Sequence, residues 1–365
     1  LAATNDEESN LAIAIAARLL NPDVPVIARA RSASVAANMA SFGTDHIINP
    51  FERFAEHLAM AVAAPERFRL IELLTSLPET PIPEIHRPPG GRWILCGYGR
   101  FGHAIASRLQ ASGIHLSIID PKAPDADQTF IGDGTEASTL VQAGIATASG
   151  IIAGTDNDVN NLSIAVTAHE LNPKLFVVAR QNHNSNSALF EAYNADFTMV
   201  HSQIVAQESV AILTAPLLAH FLKRLRDQDE VWCHGLVERL HTLSAGLTPV
   251  VWDIRLNISE APAAYHALMH DQKFSLGEIL RDGTDRSLPL NAIPLLIERG
   301  KQFFMLPADD FKLVAGDQLL LASPLDAQRN FEFTIRNANE LDYVLTDSEI
   351  SGSWLWQRLT GSRAQ

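Results

Sequence analysis

Cysteine, basic residues and long apolar runs are all scarce in this chain. Cys96 and Cys233 are its two cysteines among 365 residues, which excludes a disulfide scaffold and a cysteine-rich zinc site. The 28 Lys and Arg are outnumbered by 42 Asp and Glu, so the formal net charge is −14. That balance excludes nucleic acid as a partner, because phosphate binding rests on basic side chains. No apolar run reaches the roughly 18 residues that cross a bilayer.

Recognisable catalytic and metal-binding motifs are missing as well. The sequence contains no H-E-x-x-H, no G-x-S-x-G and no G-x-x-x-x-G-K-[ST] stretch, and no tyrosine is followed four residues later by lysine. The acids after Thr4 and Thr155 could hold a divalent cation, but their spacing differs from a calcium loop. Capping and solvated acids are the favoured interpretation. We therefore expect no catalytic residue, no metal site and no enzyme activity.

An internal repeat is the most informative feature present. Residues 1–65 recur without a gap as residues 152–216, at a constant offset of 151 (155 − 4 = 151; 216 − 65 = 151). A constant register over a whole segment indicates a duplicated domain. A glycine-rich loop precedes the second copy alone, so we expect the first copy to be the second half of such a domain. Matched pairs include Thr4 and Thr155, Asn10 and Asn161, and Arg29 and Arg180.

Short apolar strands alternate with helical patterns along most of the chain. This order predicts an α/β fold of Rossmann-type parallel sheets, followed by a small α+β C-terminal subdomain of short strands. Predicted helices cover 9–20, 32–41, 51–63, 101–112 and 216–230. Predicted strands cover 25–28, 44–48, 93–96, 115–120, 150–153, 175–179, 250–254, 294–298, 302–306 and 318–322. A proline- and glycine-rich stretch at 78–91 is the clearest linker.

Six segments follow from this pattern. They are the second half of a first lobe (1–65), a helix with the proline-rich linker (66–90), a complete Rossmann lobe (91–215), a helix with its connection (216–245), the α+β subdomain (246–345) and a tail (346–365).

The glycine loop Gly97-x-Gly99-x-x-Gly102 lies between a predicted strand and a predicted helix. In a dinucleotide fingerprint the first glycine permits the turn, the second lets backbone approach a pyrophosphate, and the third lets helix and strand pack. Asp120 closes the next strand, 23 residues on (120 − 97 = 23), where an acid hydrogen-bonds ribose hydroxyls. A carboxylate there disfavours NADP. The alternative is a lobe that keeps its glycines for packing alone.

Further candidates follow other predicted strands. Asp133, in the turn Gly132–Thr135, fits either a place beside the adenosine or a turn in which it caps a helix. Arg29 and Arg180 end equivalent strands and fit either a phosphate contact or a structural ion pair.

These features together resemble the RCK family (regulators of K+ conductance, also called KTN or TrkA-N domains). The segments that carry the resemblance are Trp93–Gly102, Ile118–Asp120, Ile131–Thr135, Ile152–Leu162, Phe176–Arg180 and Phe311–Leu321. The resemblance implies that an adenine nucleotide, NAD/NADH or ADP/ATP, binds the second lobe. The implied contacts are Gly97, Tyr98, Gly99, Arg100, Phe101, Gly102, Asp120, Asp133, Thr155, Asp156 and Arg180.

The resemblance also implies partners. Lobes of this family pair into dimers that build a ring, a homo-oligomer that pulls on a membrane K+ pore at the cytoplasmic face of the cell membrane. It places the paired crossover helices at 66–77 and 216–230. The order lobe, lobe, C-terminal subdomain is typical of a tandem channel module.

Two other functions remain open at this point. One is an NAD-dependent oxidoreductase with a substrate domain at 246–345, and the other is a dimerisation scaffold with a vestigial site. The duplication and the missing catalytic pair favour a nucleotide-sensing gating domain over the oxidoreductase.

Overall fold

A computed structural model describes residues 1–82, 86–122 and 128–346. Within these ranges the chain divides into two compact units. The first contains residues 1–69 and 86–210, and the second contains residues 70–82 and 211–346. The predicted tail lies outside the described residues apart from Thr346.

The first copy contributes a small α/β layer to the first unit. Its elements are α1 (Glu7–Leu20), β1 (Ile27–Arg29), α2 (Ala33–Ser41), β2 (His46–Ile48) and α3 (Pro50–Ala63), after which α4 runs over Pro65–Thr75. Strands β1 and β2 are parallel, and Ala2 forms a parallel bridge to Ala28. Helix α3 begins where the sequence offers both start signals: the Asn49 side chain accepts from the amide of Phe51, and Pro50 occupies the first turn.

The second copy completes a full Rossmann-type lobe. Its strands are β3 (Arg92–Cys96), β4 (His115–Ile119), β5 (Thr129–Phe130), β6 (Gly150–Ala153), β7 (Phe176–Gln181) and β8 (Phe197–Val200). Its helices are α5 (Arg100–Ala111), α6 (Ala137–Gln142), α7 (Asp158–Leu171), α8 (Ser187–Tyr193) and α9 (His201–Thr214). All six strands are parallel in the order β5-β4-β3-β6-β7-β8. The order reverses between β3 and β6, which is where open α/β sheets bind ligands.

Helix α3 joins the two copies inside the first unit. Its apolar face, which includes Phe51, Phe54 and Leu58, packs with Phe101 and Ile105 of α5 in one core. The pairing of helices at 66–77 and 216–230 stays a prediction. In this unit the helix that covers α5 is α3. The reason is its apolar stripe, which would be exposed without α5.

The second unit is the predicted α+β subdomain preceded by two helices. Its helices are α10 (Pro216–Leu225), α11 (Glu230–Ser244), α12 (Pro262–Met269), α13 (Leu276–Ile279), α14 (Leu325–Arg336) and α15 (Ala338–Thr346). Its strands are β9 (Val250–Arg255), β10 (Ile293–Arg299), β11 (Gln302–Met305) and β12 (Gln318–Ser323), antiparallel in the order β11-β10-β12-β9. The fold prediction is therefore confirmed.

The single helix predicted over 216–230 is wrong in extent. Helix α10 ends at Leu225, and α11 begins at Glu230. The physical cause is Asp229, whose carboxylate accepts from the amide of Trp232 at 2.8 Å and so caps a new helix.

Candidate functional site

The glycine loop between β3 and α5 has three glycines with three different surroundings. Gly97 has φ +97°, a conformation that favours glycine. A Cβ on Gly102 would lie 2.1 Å from the carbonyl oxygen of Gly97, so no side chain fits there. A Cβ on Gly99 would meet no atom within 4 Å. The loop is therefore closed on the protein side and open at Gly99.

The N-terminus of α5 lies at that open point. Gly99 is the N-cap residue, and no side chain accepts from the first turn. The first amides of a helix have no partner inside it and carry the positive end of its dipole. Free amides beside an unobstructed glycine form the arrangement that accepts phosphate oxygens in Rossmann folds.

Asp120 lies directly after β4 and is held against the loop. Its Oδ2 accepts from the amide of Tyr98 at 2.7 Å, and its Oδ1 accepts from the amide of Lys122 at 2.8 Å. The Tyr98 ring in turn packs on His103, with centroids 3.9 Å apart. An ionised carboxylate has about four lone-pair positions. Asp120 can therefore accept from two amides and still accept from a ribose hydroxyl.

Asp133 forms a tight turn at the same edge. Its Oδ1 accepts from both the amide and the hydroxyl of Thr135, each at 2.9 Å. The cap of α6 is Glu136, so the alternative in which Asp133 caps this helix is wrong, while the turn is present. Burial raises the pKa of the Cys96 thiol, and the Asp133 carboxylate raises it further. A Cβ on the neighbouring Gly134 would lie 2.9 Å from the sulfur of Cys96, so this turn lies against the end of β3.

Thr155 is engaged in a polar clamp that the sequence analysis missed. Its amide and hydroxyl both donate to Oδ1 of Asn161, at 2.8 and 2.7 Å, and Asn161 Nδ2 donates to the carbonyl oxygen of Arg180 at 2.7 Å. The clamp ties the carboxyl end of β6 to that of β7. The first copy repeats it: Thr4 donates to Asn10 at 2.7 and 2.8 Å, and Asn10 donates to Arg29. The shared offset of both asparagines was the signal available in the sequence.

Arg180 lies in the seam between the two copies. Its guanidinium carbon is 5.0 Å from the ring centre of Phe51 and 5.2 Å from that of Phe101. Burial lowers its pKa to about 10, although Asp156 and Asp158 act in the opposite direction. Within the described ranges it forms no ion pair, so the structural ion pair considered from the sequence is not the arrangement found.

The candidate residues gather at the carboxyl ends of β3, β4, β6 and β7. Gly97 approaches the amide of Thr155, and Phe101 packs against Arg180. Arg100 instead crosses to the first copy and pairs with Glu7 at 3.1 Å. Asp156 is exposed at the same edge. Their contact with a nucleotide stays a prediction.

Comparison with known families matches both copies. Residues 1–50 and 93–201 match the TrkA-N domain. Both copies carry TrkA-N sequence. The resemblance inferred from the glycine loop, the acid and the duplication is confirmed. The match does not extend to residues 246–345, whose likeness to the family's C-terminal subdomain stays a prediction.

Curated relatives of this chain include potassium transport proteins. Potassium channel protein 1 of Methanocaldococcus jannaschii is 29% identical over 147 residues, which are 38% of this chain and 44% of the relative. The glutathione-regulated potassium-efflux protein KefC of an Enterobacter species is 35% identical over 97 residues, which are 24% of this chain and 16% of KefC. The chain spans less than half the length of these curated relatives.

Solved structures similar to this chain include forms of the GsuK channel. One, described as bound to NAD, has a TM-score of 0.48 and 18% identity, covering 92% of this chain and 66% of the other. A second, described as bound to ADP, has a TM-score of 0.44 and 24% identity, covering 58% and 50%.

Membrane and metal features were also sought in the described parts of the chain. No single helix there is long and apolar enough to span a bilayer, although α9 and α10 pass a length and composition test as a bent pair. No group of three or more His, Cys, Asp or Glu in those parts is placed to hold a metal ion.

Proposed function

We propose that the second lobe binds an adenine nucleotide and that its occupancy regulates potassium transport through a membrane pore. The observation that carries the nucleotide half is the open backbone at Gly99, at the uncapped N-terminus of α5 and beside Asp120. Phosphates would accept from the first-turn amides, and Asp120 would accept from a ribose hydroxyl. A second phosphate on that ribose would face the carboxylate, so NAD, NADH, ADP or ATP fits better than NADP.

The second part of the proposal, regulation of potassium transport, is supported by the proteins to which this chain is similar. Curated proteins similar to part of this chain include potassium channel and potassium-efflux proteins. A sensor of this kind needs different affinities for a ligand in two states of an assembly, and it needs no bond-making chemistry. We propose a dimer that builds a ring at the cytoplasmic face of the membrane. No observation on the described residues favours an oxidoreductase.

The direct test is ligand-dependent stability. Thermal unfolding would be followed with ATP, ADP, AMP, NAD, NADH and NADPH, since a ligand at 100 times its Kd adds about 2.7 kcal/mol. Gly99→Val should abolish the shift while leaving the unliganded melting temperature near that of wild type, because the new side chain enters open space on the ligand's path. Gly235→Val is the matched control, since Gly235 also has open space but lies on α11.

The outcomes separate the possibilities. A shift with ADP or NAD that Gly99→Val removes and Gly235→Val keeps would support the site. Equal shifts in both variants would contradict it, and no shift with any nucleotide would favour a vestigial scaffold. A shift with NADPH alone would overturn the role of Asp120.

A further inference from the structure

Two equivalent arginines, the buried Arg29 and the half-buried Arg180, lie in the seam between the copies. Arg29 is only 8% exposed. Its Nε, like that of Arg180, is buried and has no hydrogen-bond partner among the described residues. Neither guanidinium forms an ion pair there. Within the described ranges each guanidinium donates to one neutral oxygen only, Arg29 to Asn5 and Arg180 to Gly154. A cation taken out of water without an ion pair is destabilising, so an anion in the seam would stabilise both.

Other cations surround the same seam. Arg29 donates to the side chain of Asn5 at 3.0 Å, and Arg31 donates to the carbonyl oxygen of Asn5 at 3.1 Å. The amide of Arg31 donates to Glu7, whose other oxygen pairs with Arg100. The first copy thus brings two arginines to the point where the glycine loop brings Arg100.

The second copy closes the seam from the other side. The Phe51 ring lies 5.0 Å from the Arg180 guanidinium carbon and 5.0 Å from the His201 ring. Burial lowers the pKa of His201 to about 4, and Arg180, Arg29 and Arg31 lower it further, while the hydrogen bond of its Nδ1 to the carbonyl oxygen of Gln181 opposes this. The histidine is therefore neutral, and the guanidinium groups repel one another.

The carboxylates nearest the seam are either engaged with other groups or exposed. Glu7 accepts from two amides and from Arg100. Both oxygens of Asp158 accept from Asn182, His183 and Asn186. Asp156 is exposed. None of these acids forms an ion pair with Arg29, Arg31 or Arg180 in the described part of the chain.

We infer that this seam is an anion site for a phosphoryl group, built jointly by Arg29 and Arg31 of the first copy and Arg180 of the second. Guanidiniums bind phosphate oxygens with paired, planar donors. The phosphate is either free inorganic phosphate or the terminal phosphate of a nucleotide on the glycine loop. The second source rests on the proposed function, whereas the first does not. In either case the first copy is part of a ligand site although its own glycine loop is not among these residues.

The test uses wild type, Arg29→Met and the control Arg329→Met, which removes the same charge from an exposed position on α14. Melting would be followed with inorganic phosphate, AMP, ADP and ATP, against sodium chloride at equal ionic strength. In wild type and Arg329→Met, phosphate should raise the melting temperature, or ATP should raise it more than AMP does, or both effects should be seen. In Arg29→Met the Kd for the stabilising anion should be at least tenfold higher. The variant should also melt no lower than wild type without anion, since it removes an unpaired buried charge.

The variant Gly99→Val shows whether the phosphate in the seam is free or belongs to a nucleotide on the glycine loop. A phosphate shift kept in Gly99→Val but lost in Arg29→Met indicates free phosphate. If ATP stabilises wild type more than AMP does, and this difference is lost in both Gly99→Val and Arg29→Met, the site binds the terminal phosphate of a nucleotide. Absence of a phosphate shift together with equal AMP and ATP affinities in wild type and Arg29→Met would overturn the anion site, and would leave nucleotide binding at the loop untouched. Arg31→Gln, at a half-buried position, repeats the test should Arg29→Met fail to fold.

Discussion

The two copies share a sequence pattern but bury different residues. Ile164 is fully buried, whereas its counterpart Ile13 is 44% exposed; Leu175 is 5% exposed, and its counterpart Val24 is 43% exposed. In the second copy these side chains pack with β3 and α6. The first copy lacks such neighbours among the described residues. Local structure was thus retained through duplication, while burial depends on what lies next to each copy.

The last helix of each copy differs in the other direction, because here the first copy carries the larger buried side chains. Helix α3 of the first copy buries Phe51, Phe54, Ala55 and Leu58, while the equivalent positions in α9 are Ser202, Val205, Ala206 and Ser209. The stability of the first copy therefore comes from the packing of α3 against α5. Mutations in α3 and α9 can test this difference between the two helices.

The largest expected effect is at Leu58. Leu58→Ala should lower the free energy of unfolding by about 2–5 kcal/mol, because it opens a cavity in a fully buried position. Ser209→Ala at the equivalent position should change it by less than about 1 kcal/mol or raise it, since the Ser209 hydroxyl is buried and has no partner among the described residues. Urea unfolding of both variants measures the difference. Equal losses would contradict the unequal roles of the two helices.

The next effect is an acid sensitivity that only the second copy has at this position. His201 has a pKa near 4 in the folded protein against about 6.5 unfolded. The unfolded state then binds more protons between these values, so stability falls as pH drops from about 6.5 towards 4, by at most about 1.4 kcal/mol per pH unit. The first copy has Pro50 there.

His201→Gln should reduce that acid loss. Unfolding free energies of wild type and variant at pH 7, 6, 5 and 4.5 measure it. Parallel curves for the two proteins would show that His201 does not titrate as its surroundings imply.

A smaller effect is expected at the paired clamps. Asn161→Ala and Asn10→Ala should each cost about 1–3 kcal/mol, because each leaves buried backbone groups unpaired. Asn→Asp at either position serves as a control that keeps the Oδ1 acceptor but loses the Nδ2 donor. Similar losses at both sites would extend the duplication to its hydrogen bonds. A loss at Asn161 alone would show that the first clamp is dispensable.

The sequence predicted what depends on neighbouring residues. The glycine loop, the acid at Asp120 and most strands follow from short patterns. Four of the five predicted helices were placed within about two residues, and the one predicted over 216–230 ends at Leu225 instead. Strand β5 has only two residues and leaves no periodic signal. The environment of Arg180 was beyond such reasoning because Phe51 lies 129 residues earlier (180 − 51 = 129). Side chains that meet only through tertiary packing leave no mark in local spacing.

The unequal surroundings of Gly99 and Gly102 have a consequence for how this lobe can change over generations. At Gly102 any replacement disturbs the fold, so drift there is purged. At Gly99 a replacement costs the fold little and removes only access to the helix end. Under the proposed function, one codon change at Gly99 would thus turn a ligand-responsive lobe into a silent one of the same shape, and the architecture would not record the loss.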